Sequence, residues 1–280
     1  MVKGFESVAE VAALGDTFEP FAGQLPVHQA DRLRRGKEGL GRLVRREVLG
    51  FAAPQGLADT ATIVALKDAG YRYYLNDVDV SRAVPEIVEF MSSVFFPLQK
   101  MEVLKIFRTA ADDFDVVANY RGPSPPRLDL AEGFLSDFHR ILYLRGVYTL
   151  YFRNYLLEAR EYSDILKAVL EGIKGQPVWI TTGRDLARWW SGRAKVEAEA
   201  RKISVHRIAV GIANRGESAV DNASICVYLP YRPKRISMSA VAFRLRPPHY
   251  QMLDQDNILR VDFPRLSAQT NYNYIVHLDE

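Results

Sequence analysis

The side chains of this 280-residue chain that could do chemistry are few and scattered. Its five histidines are His28, His139, His206, His249 and His277. A metal centre needs several donors converging on one point, and a helix can offer a pair at i, i+4. None of these histidines has a second histidine or a cysteine at that spacing, so a metal site would have to assemble from distant segments. The single cysteine, Cys226, excludes an internal disulfide and a cysteine-rich zinc site. Between Ile225 and Val227 in a strand-like run, it reads as a small buried apolar residue rather than a nucleophile. Asp112-Asp113-Phe114-Asp115 reads as a solvated turn after a strand. Asp254-Gln255-Asp256-Asn257 lacks the glycine and distal glutamate of a calcium loop, so it reads as a turn between strands. Gly-x-Ser-x-Gly and phosphate-loop patterns are absent.

Composition narrows the partners. An apolar fraction of 48% and a charged fraction of 25% are those of an ordinary globular chain. Lys+Arg of 37 against Asp+Glu of 34 leaves a net charge of +3, too mild to argue for nucleic acid or a membrane surface. The basic run from Asp31 to Glu47 is interrupted by Leu33, Leu40 and Leu43 at roughly helical spacing. It reads as a solvated helix face rather than an anion site. No run has the length of a membrane span. Acidic residues stand in Met1–Glu10 where a signal peptide has its apolar core, so no signal peptide is expected. An extracytoplasmic location would follow only if the chain were a piece of a longer exported one.

Elements that could position a site follow an alternating pattern. Glu10–Leu14 is a short expected strand, the arginine-rich segment a helix, and Glu47–Phe51 a strand. Asp59 or Thr60 can cap the next helix with a side-chain oxygen, and Gly70 can close it in the left-handed conformation. Tyr71–Leu75 is an expected strand, Ala83–Phe95 a helix with Pro85 in its first turn, and Met101–Phe107 a strand. Leu128–Leu144 has the period of an amphipathic helix, with Leu130, Phe134, Phe138, Ile141 and Leu142 on its apolar face. Val147–Phe152 and Pro177–Ile180 are expected strands around a helix at Tyr162–Ile173. Thr181 or Thr182 caps a last helix bearing Trp189 and Trp190. The prolines of the Tyr120–Arg127 loop forbid regular structure there. This alternation predicts an α/β fold with a parallel sheet, an incomplete or distorted barrel.

After Ala194 the pattern changes. Ile203–Ile212, Ala223–Leu229, Ile236–Leu245, Ile258–Phe263 and Tyr272–Leu278 are short runs of branched and aromatic residues, separated by Asn214-Arg215-Gly216 and several prolines. They predict a small all-β sandwich. The expected domains are therefore residues 1–194 and 195–280.

The segment Gly50–Tyr74 resembles the NodB-type polysaccharide deacetylases, as do Leu14-Gly-Asp-Thr-Phe18 with the following Glu-Pro-Phe-Ala-Gly23, and Tyr148-Thr-Leu-Tyr-Phe-Arg-Asn-Tyr155. The likeness runs from about Glu10 to Trp190. Such enzymes use a divalent ion to polarise the acetyl carbonyl and activate water, with a base and an acid to move protons. The resemblance implies a metal-binding Asp pair, a His-x-x-x-His motif, an Arg before a Pro and a late His. Leu14 and Phe18 stand at the two His places and offer no lone pair to a metal. Ala52 stands at the Arg place. Arg153 stands for the late His and cannot release a proton near neutral pH. Nothing before Leu14 matches the Asp pair, so the first strand and helix are read as missing. Ile208–Pro230 similarly resembles the first hairpin of Ig-like accessory domains in secreted carbohydrate enzymes.

The resemblance thus implies the scaffold without its usual chemistry: no catalytic residue, no metal and no cofactor. Asp16, Tyr151, Arg153 and Asn154 are the candidate substrate-binding residues, able to hold an oligo- or polysaccharide without hydrolysing it. Alternatively Arg153 fills the vacated metal space and pairs with Asp16. Trp179, Trp189 and Trp190 could stack on a sugar or, as a helical pattern, pack the last helix. A protein partner is expected to cover the incomplete barrel. The other reading is an active metal-dependent deacetylase completed by an upstream segment or a partner chain. That segment would not restore Leu14, Phe18 and Arg153 to histidines.

Overall fold

A computed structural model describes residues 12–13, 16–17, 19–78, 84–90, 99–109, 127–150, 160–242, 247–253 and 257–279. Two compact units meet in sequence between Ala187 and Arg188, within one helix.

In the first unit, strands β1 (Ala12–Ala13), β2 (Gly50–Ala52), β3 (Tyr73–Val78), β4 (Glu86–Phe90) and β5 (Gln99–Arg108) form one sheet in the order β1-β2-β3-β5-β4. The first three and β5 run parallel, while β4 lies antiparallel on β5. The helices are α1 (Pro26–Val44), α2 (Thr60–Asp68), α3 (Arg127–Tyr143), α4 (Arg160–Ile173) and α5 (Gly183–Arg193). Among the described residues no pairing closes the sheet into a barrel, and no helix is long and apolar enough to cross a membrane.

Local chemistry accounts for the boundaries. Pro26 opens α1, where its missing N–H costs nothing. The Asp59 carboxylate accepts from Thr62 N–H at 2.9 Å while the Thr62 hydroxyl accepts from Asp59 N–H at 3.1 Å, a reciprocal cap on α2. At the other end Gly70 takes φ +74°, so that Tyr71 N–H reaches Leu66 C=O and Gly70 N–H reaches Lys67 C=O, both at 2.9 Å. Lys37 of α1 adds its ammonium to the Ala69 and Gly70 carbonyls at 2.8 and 2.9 Å. That charge sits where the helix dipole is negative. Thr182 caps α5 by accepting from Asp185 N–H at 3.2 Å.

Three sequence expectations need correction. The helix expected over Ala83–Phe95 contains a strand at Glu86–Phe90. Its Ile87, Val88 and Phe90 are strand formers, and pairing with β5 outweighs the helical spacing. Val147–Leu150 and Pro177–Ile180 carry no strand ladder. At the first of these, hydroxyls replace the ladder. Thr149 N–H donates to the Thr109 hydroxyl at 2.9 Å, Thr109 N–H to the Thr149 hydroxyl at 3.0 Å, and the Thr149 hydroxyl to Phe107 C=O at 2.6 Å. The loop residues 120–126 and the Asp112–Asp115 run lie outside the described residues.

The second unit holds β6 (Val196–Ser204), β7 (Arg207–Asn214), β8 (Val220–Tyr228), β9 (Arg235–Ala240), β10 (His249–Met252), β11 (Ile258–Leu266) and β12 (Thr270–Asp279). They form two antiparallel sheets, β6-β7-β12-β9 and β10-β11-β8. One apolar core takes residues from both, including Val210, Ile212, Val276 and Leu278 from the first and Val227, Leu259 and Val261 from the second. Cys226 is exposed, not buried as expected, because alternation along β8 turns Val227 inward and its neighbour outward. The expected run Ile203–Ile212 is in fact the end of β6, a turn at Val205-His206, and β7.

Candidate functional site

Alternation along the parallel strands divides the first unit's sheet into two faces. Ala13, Phe51, Tyr74 and Val103 join Leu33 of α1 and Ile63 and Leu66 of α2 in one core. The opposite face carries Ala12, Gly50, Ala52, Tyr73, Leu75 and Ile106. Tyr73 is buried across this face: a Cβ at either Gly50 or Gly183 would collide with its ring. Glycine at these two positions is therefore a matter of space for Tyr73 rather than of backbone freedom.

Beyond Tyr73 this face opens into a cavity of about 490 Å³. Leu75 and Ile106 form its sheet side, Phe138 and Ile141 its α3 side, and Val147–Leu150 and Val178–Gly183 complete the wall. The two segments expected as further strands thus bound the same space as the sheet, although they do not pair with it. Three of its hydroxyls, those of Tyr148, Thr149 and Thr182, are held within the protein. Tyr148 donates to Phe134 C=O at 3.0 Å, and burial, with a smaller contribution from Asp137, pushes its phenol well above the ordinary value. Thr149 is tied to Phe107 and Thr109, and Thr182 to Asp185.

Asp16 lies elsewhere, at α1. Its carboxylate accepts from Arg32 Nε at 2.8 Å and from an Arg35 terminal nitrogen at 2.6 Å. Arg32 is almost wholly buried, with its guanidinium 4.2 Å from the Phe21 ring centroid and further bonds to the Thr17 hydroxyl and the Thr17 and Glu19 carbonyls. Burial alone would raise the Asp16 pKa, but the two arginines outweigh it and hold the carboxyl below the usual range. Asp16 is thus part of a clamp that holds Asp16, Thr17 and Glu19 to α1, and the basic run that looked wholly solvated supplies a buried member. Asp16→Ala is expected to lower the stability of the first unit by about 2 kcal/mol in urea unfolding. This is less than a fully buried pair because Arg32 keeps its carbonyl and hydroxyl partners. An unchanged urea midpoint would contradict this role.

Ala52 ends β2, half-buried, beside buried Ala53. Leu14, Phe18, Tyr151, Arg153 and Asn154 lie outside the described residues. Among the described residues no group of three or more His, Cys, Asp or Glu side chains could hold a metal ion. His277 bonds to the Ser239 hydroxyl at 3.0 Å, and His206 Nδ1 meets the Tyr231 hydroxyl at 3.3 Å. Asn257, the last residue of the expected turn, accepts Leu229 N–H on its carbonyl at 2.7 Å, while residues 254–256 lie outside the described set. Trp189 and Trp190 present no common flat face: their rings meet at 61°, with the Arg193 guanidinium 5.9 and 5.3 Å from the two centroids. Trp179 is 58% exposed and borders the cavity. Sequence reasoning missed the cavity and the role of Tyr73. The alternation of Tyr73 and Leu75 on one strand, with glycines at 50 and 183, was the available signal.

No family model matches the sequence, and no curated protein matches it significantly. Solved structures do. A protein assigned as a polysaccharide deacetylase from Mycobacterium smegmatis superposes with a TM-score of 0.52 at 16% identity, covering 66% of this chain and 64% of that one. Puue allantoinase has a TM-score of 0.49 at 18% identity over 65% of this chain and 58% of its own. A protein assigned as a polysaccharide deacetylase from Pseudomonas aeruginosa PAO1 has 0.49 at 13% identity over 65% and 59%. The match thus spans a little under two thirds of the Mycobacterium smegmatis chain. In fold, this chain is similar to the polysaccharide deacetylases of NodB type, and at such identity the likeness concerns the fold alone.

Proposed function

We propose that this protein is a catalytically degenerate relative of the NodB-type polysaccharide deacetylases that binds carbohydrate or serves as a structural component. In this reading the first unit is a distorted (β/α) barrel and the second an Ig-like accessory sandwich. The observation that carries the proposal is the chemistry of the sheet face turned away from α1 and α2. Among the residues of that face whose side chains are described, Ala12, Gly50, Ala52, Tyr73, Leu75 and Ile106 supply no carboxylate, imidazole or thiolate. Metal-assisted deacetylation needs such groups to hold the ion and move protons. The sequence adds Leu14 and Phe18 where the family has histidines, and Arg153 where it has a third. The two antiparallel sheets around one core support the Ig-like reading of the second unit.

Tyr151, Arg153 and Asn154 remain the residues proposed to contact a saccharide; Asp16, committed to Arg32 and Arg35, is set aside. A glycan array probed with the full chain should show binding to a restricted set of oligosaccharides. That binding should fall at least tenfold in Arg153→Ala. Equal binding by the variant, or none by the parent, would remove the carbohydrate-binding role.

A further inference from the structure

The cavity described above does not suit the ligand class of that proposal. A saccharide presents hydroxyls all round its ring, and burying them without partners is costly. The Tyr148, Thr149 and Thr182 hydroxyls on the cavity wall are already bonded within the protein. Besides Tyr73 and Thr181, what remains is mostly branched aliphatic surface: Leu75 and Ile106 from the sheet, Ile141 and Val147 opposite, and Ile173 from α4. Ile180 and Trp179 border the opening and are 44% and 58% exposed. The volume of about 490 Å³ falls in the range of roughly 300–1,000 Å³ typical of small-molecule sites.

We propose that this cavity binds a fatty acyl or alkyl chain, with the hydrocarbon end against Leu75, Ile106 and Ile141 and the polar end in solvent beside Ile180. The assignment rests on the described wall alone and is independent of the carbohydrate reading. An aliphatic chain fits better than a flat aromatic ligand, because Leu, Ile and Val are the commonest lining residues and the Phe138 and Tyr148 rings meet edge-on at 78°. The binding force is the transfer of methylenes from water, so affinity should depend on chain length and little on the head group.

The test uses the 280-residue chain and cis-parinaric acid, which fluoresces when its polyene enters an apolar site. A saturable rise at one equivalent is expected, reversed by dodecanoate and by dodecanol alike. Across straight-chain carboxylates from hexanoate to dodecanoate, displacement should strengthen about fourfold per added methylene. Ile180→Arg, at an exposed position that tolerates charge, should bind at least tenfold more weakly with an unchanged circular dichroism spectrum. Trp179→Phe keeps the binding but loses most of the change in tryptophan emission that dodecanoate causes in the parent. A non-saturable signal, a dependence on the carboxylate rather than on chain length, or full-strength binding by Ile180→Arg would each overturn the proposal. Displacement by an oligosaccharide would do so as well. The same preparation on a glycan array separates the two proposals, since either can fail alone.

Discussion

Asp59→Ala should destabilise the first unit by about 2 kcal/mol, from a lost N-cap together with a lost acceptor for the buried Gln29 amide. The Asp59 carboxylate does more than cap α2. It accepts Gly23 N–H at 2.8 Å and the Gln29 side-chain amide at 3.2 and 3.3 Å. Gln29 in turn accepts from the Thr62 hydroxyl at 2.6 Å, and both residues are fully buried. Alanine removes the acceptor of Thr62 N–H and one acceptor of the buried Gln29 amide, which keeps only Gln24 C=O at 3.0 Å. Hydrogen exchange is the appropriate readout, since the loss should appear as reduced protection of α2 amides while β11 keeps its own.

The same residue makes the first unit acid-sensitive. Burial alone would raise the Asp59 pKa, but the Gly23 and Thr62 N–H groups, the Thr62 hydroxyl and Gln29 together hold it below the ordinary 3.8. The folded form therefore stays charged where the unfolded chain has begun to take up a proton. This contribution is complete above the ordinary value and is lost as pH falls from there through the folded-state value. Asp59→Ala, lacking the group, should give a flatter dependence of stability on pH in that window.

Leu259→Ala is the second large effect, expected to cost the second unit about 3 kcal/mol through lost burial and an unfilled cavity. Leu259 is fully buried in β11, opposite Val227 of β8 and Met252 of β10. It lies in the core that residues of both sheets share, so little freedom exists for collapse around the missing methyls. Reduced exchange protection along β8 and β11, with α2 unchanged, is the expected pattern. Protection equal to the parent would show that this core is not close-packed.

Much of this architecture was legible because local chemistry and tertiary pairing agree. The Asp59 cap, the Gly70 stop, the Thr182 cap and the amphipathic period of α3 needed only neighbouring residues to interpret. Failures came where a distant partner decided. Glu86–Phe90 reads as helix until β5 is placed beside it, and Val147–Leu150 reads as strand until Thr109 and Thr149 are seen exchanging side-chain bonds. β6 went unread because its Val-Glu-Ala-Glu-Ala-Arg sequence is mostly exposed, and such an edge strand needs few apolar residues. β10 is too short and polar to stand out.

The site was legible only in part, and for a related reason. The expectation of missing metal ligands and proton carriers at Leu14, Phe18, Ala52 and Arg153 rests on the resemblance to the NodB-type enzymes. Which charges meet depends on the fold: Asp16 faces Arg32 and Arg35 of α1, a pairing that sequence separation does not suggest. The apolar cavity likewise comes from segments that are distant in sequence, with Tyr73 and Ile106 on strands, Ile141 on a helix and Ile180 on an irregular stretch.

Metal content tests the central claim most directly. The 280-residue chain, incubated with excess zinc, cobalt or nickel and then dialysed, would be analysed by elemental mass spectrometry. A chain that keeps the deacetylase fold without its chemistry should retain only background metal. One tightly held equivalent per chain would contradict the account and restore the case for an active enzyme.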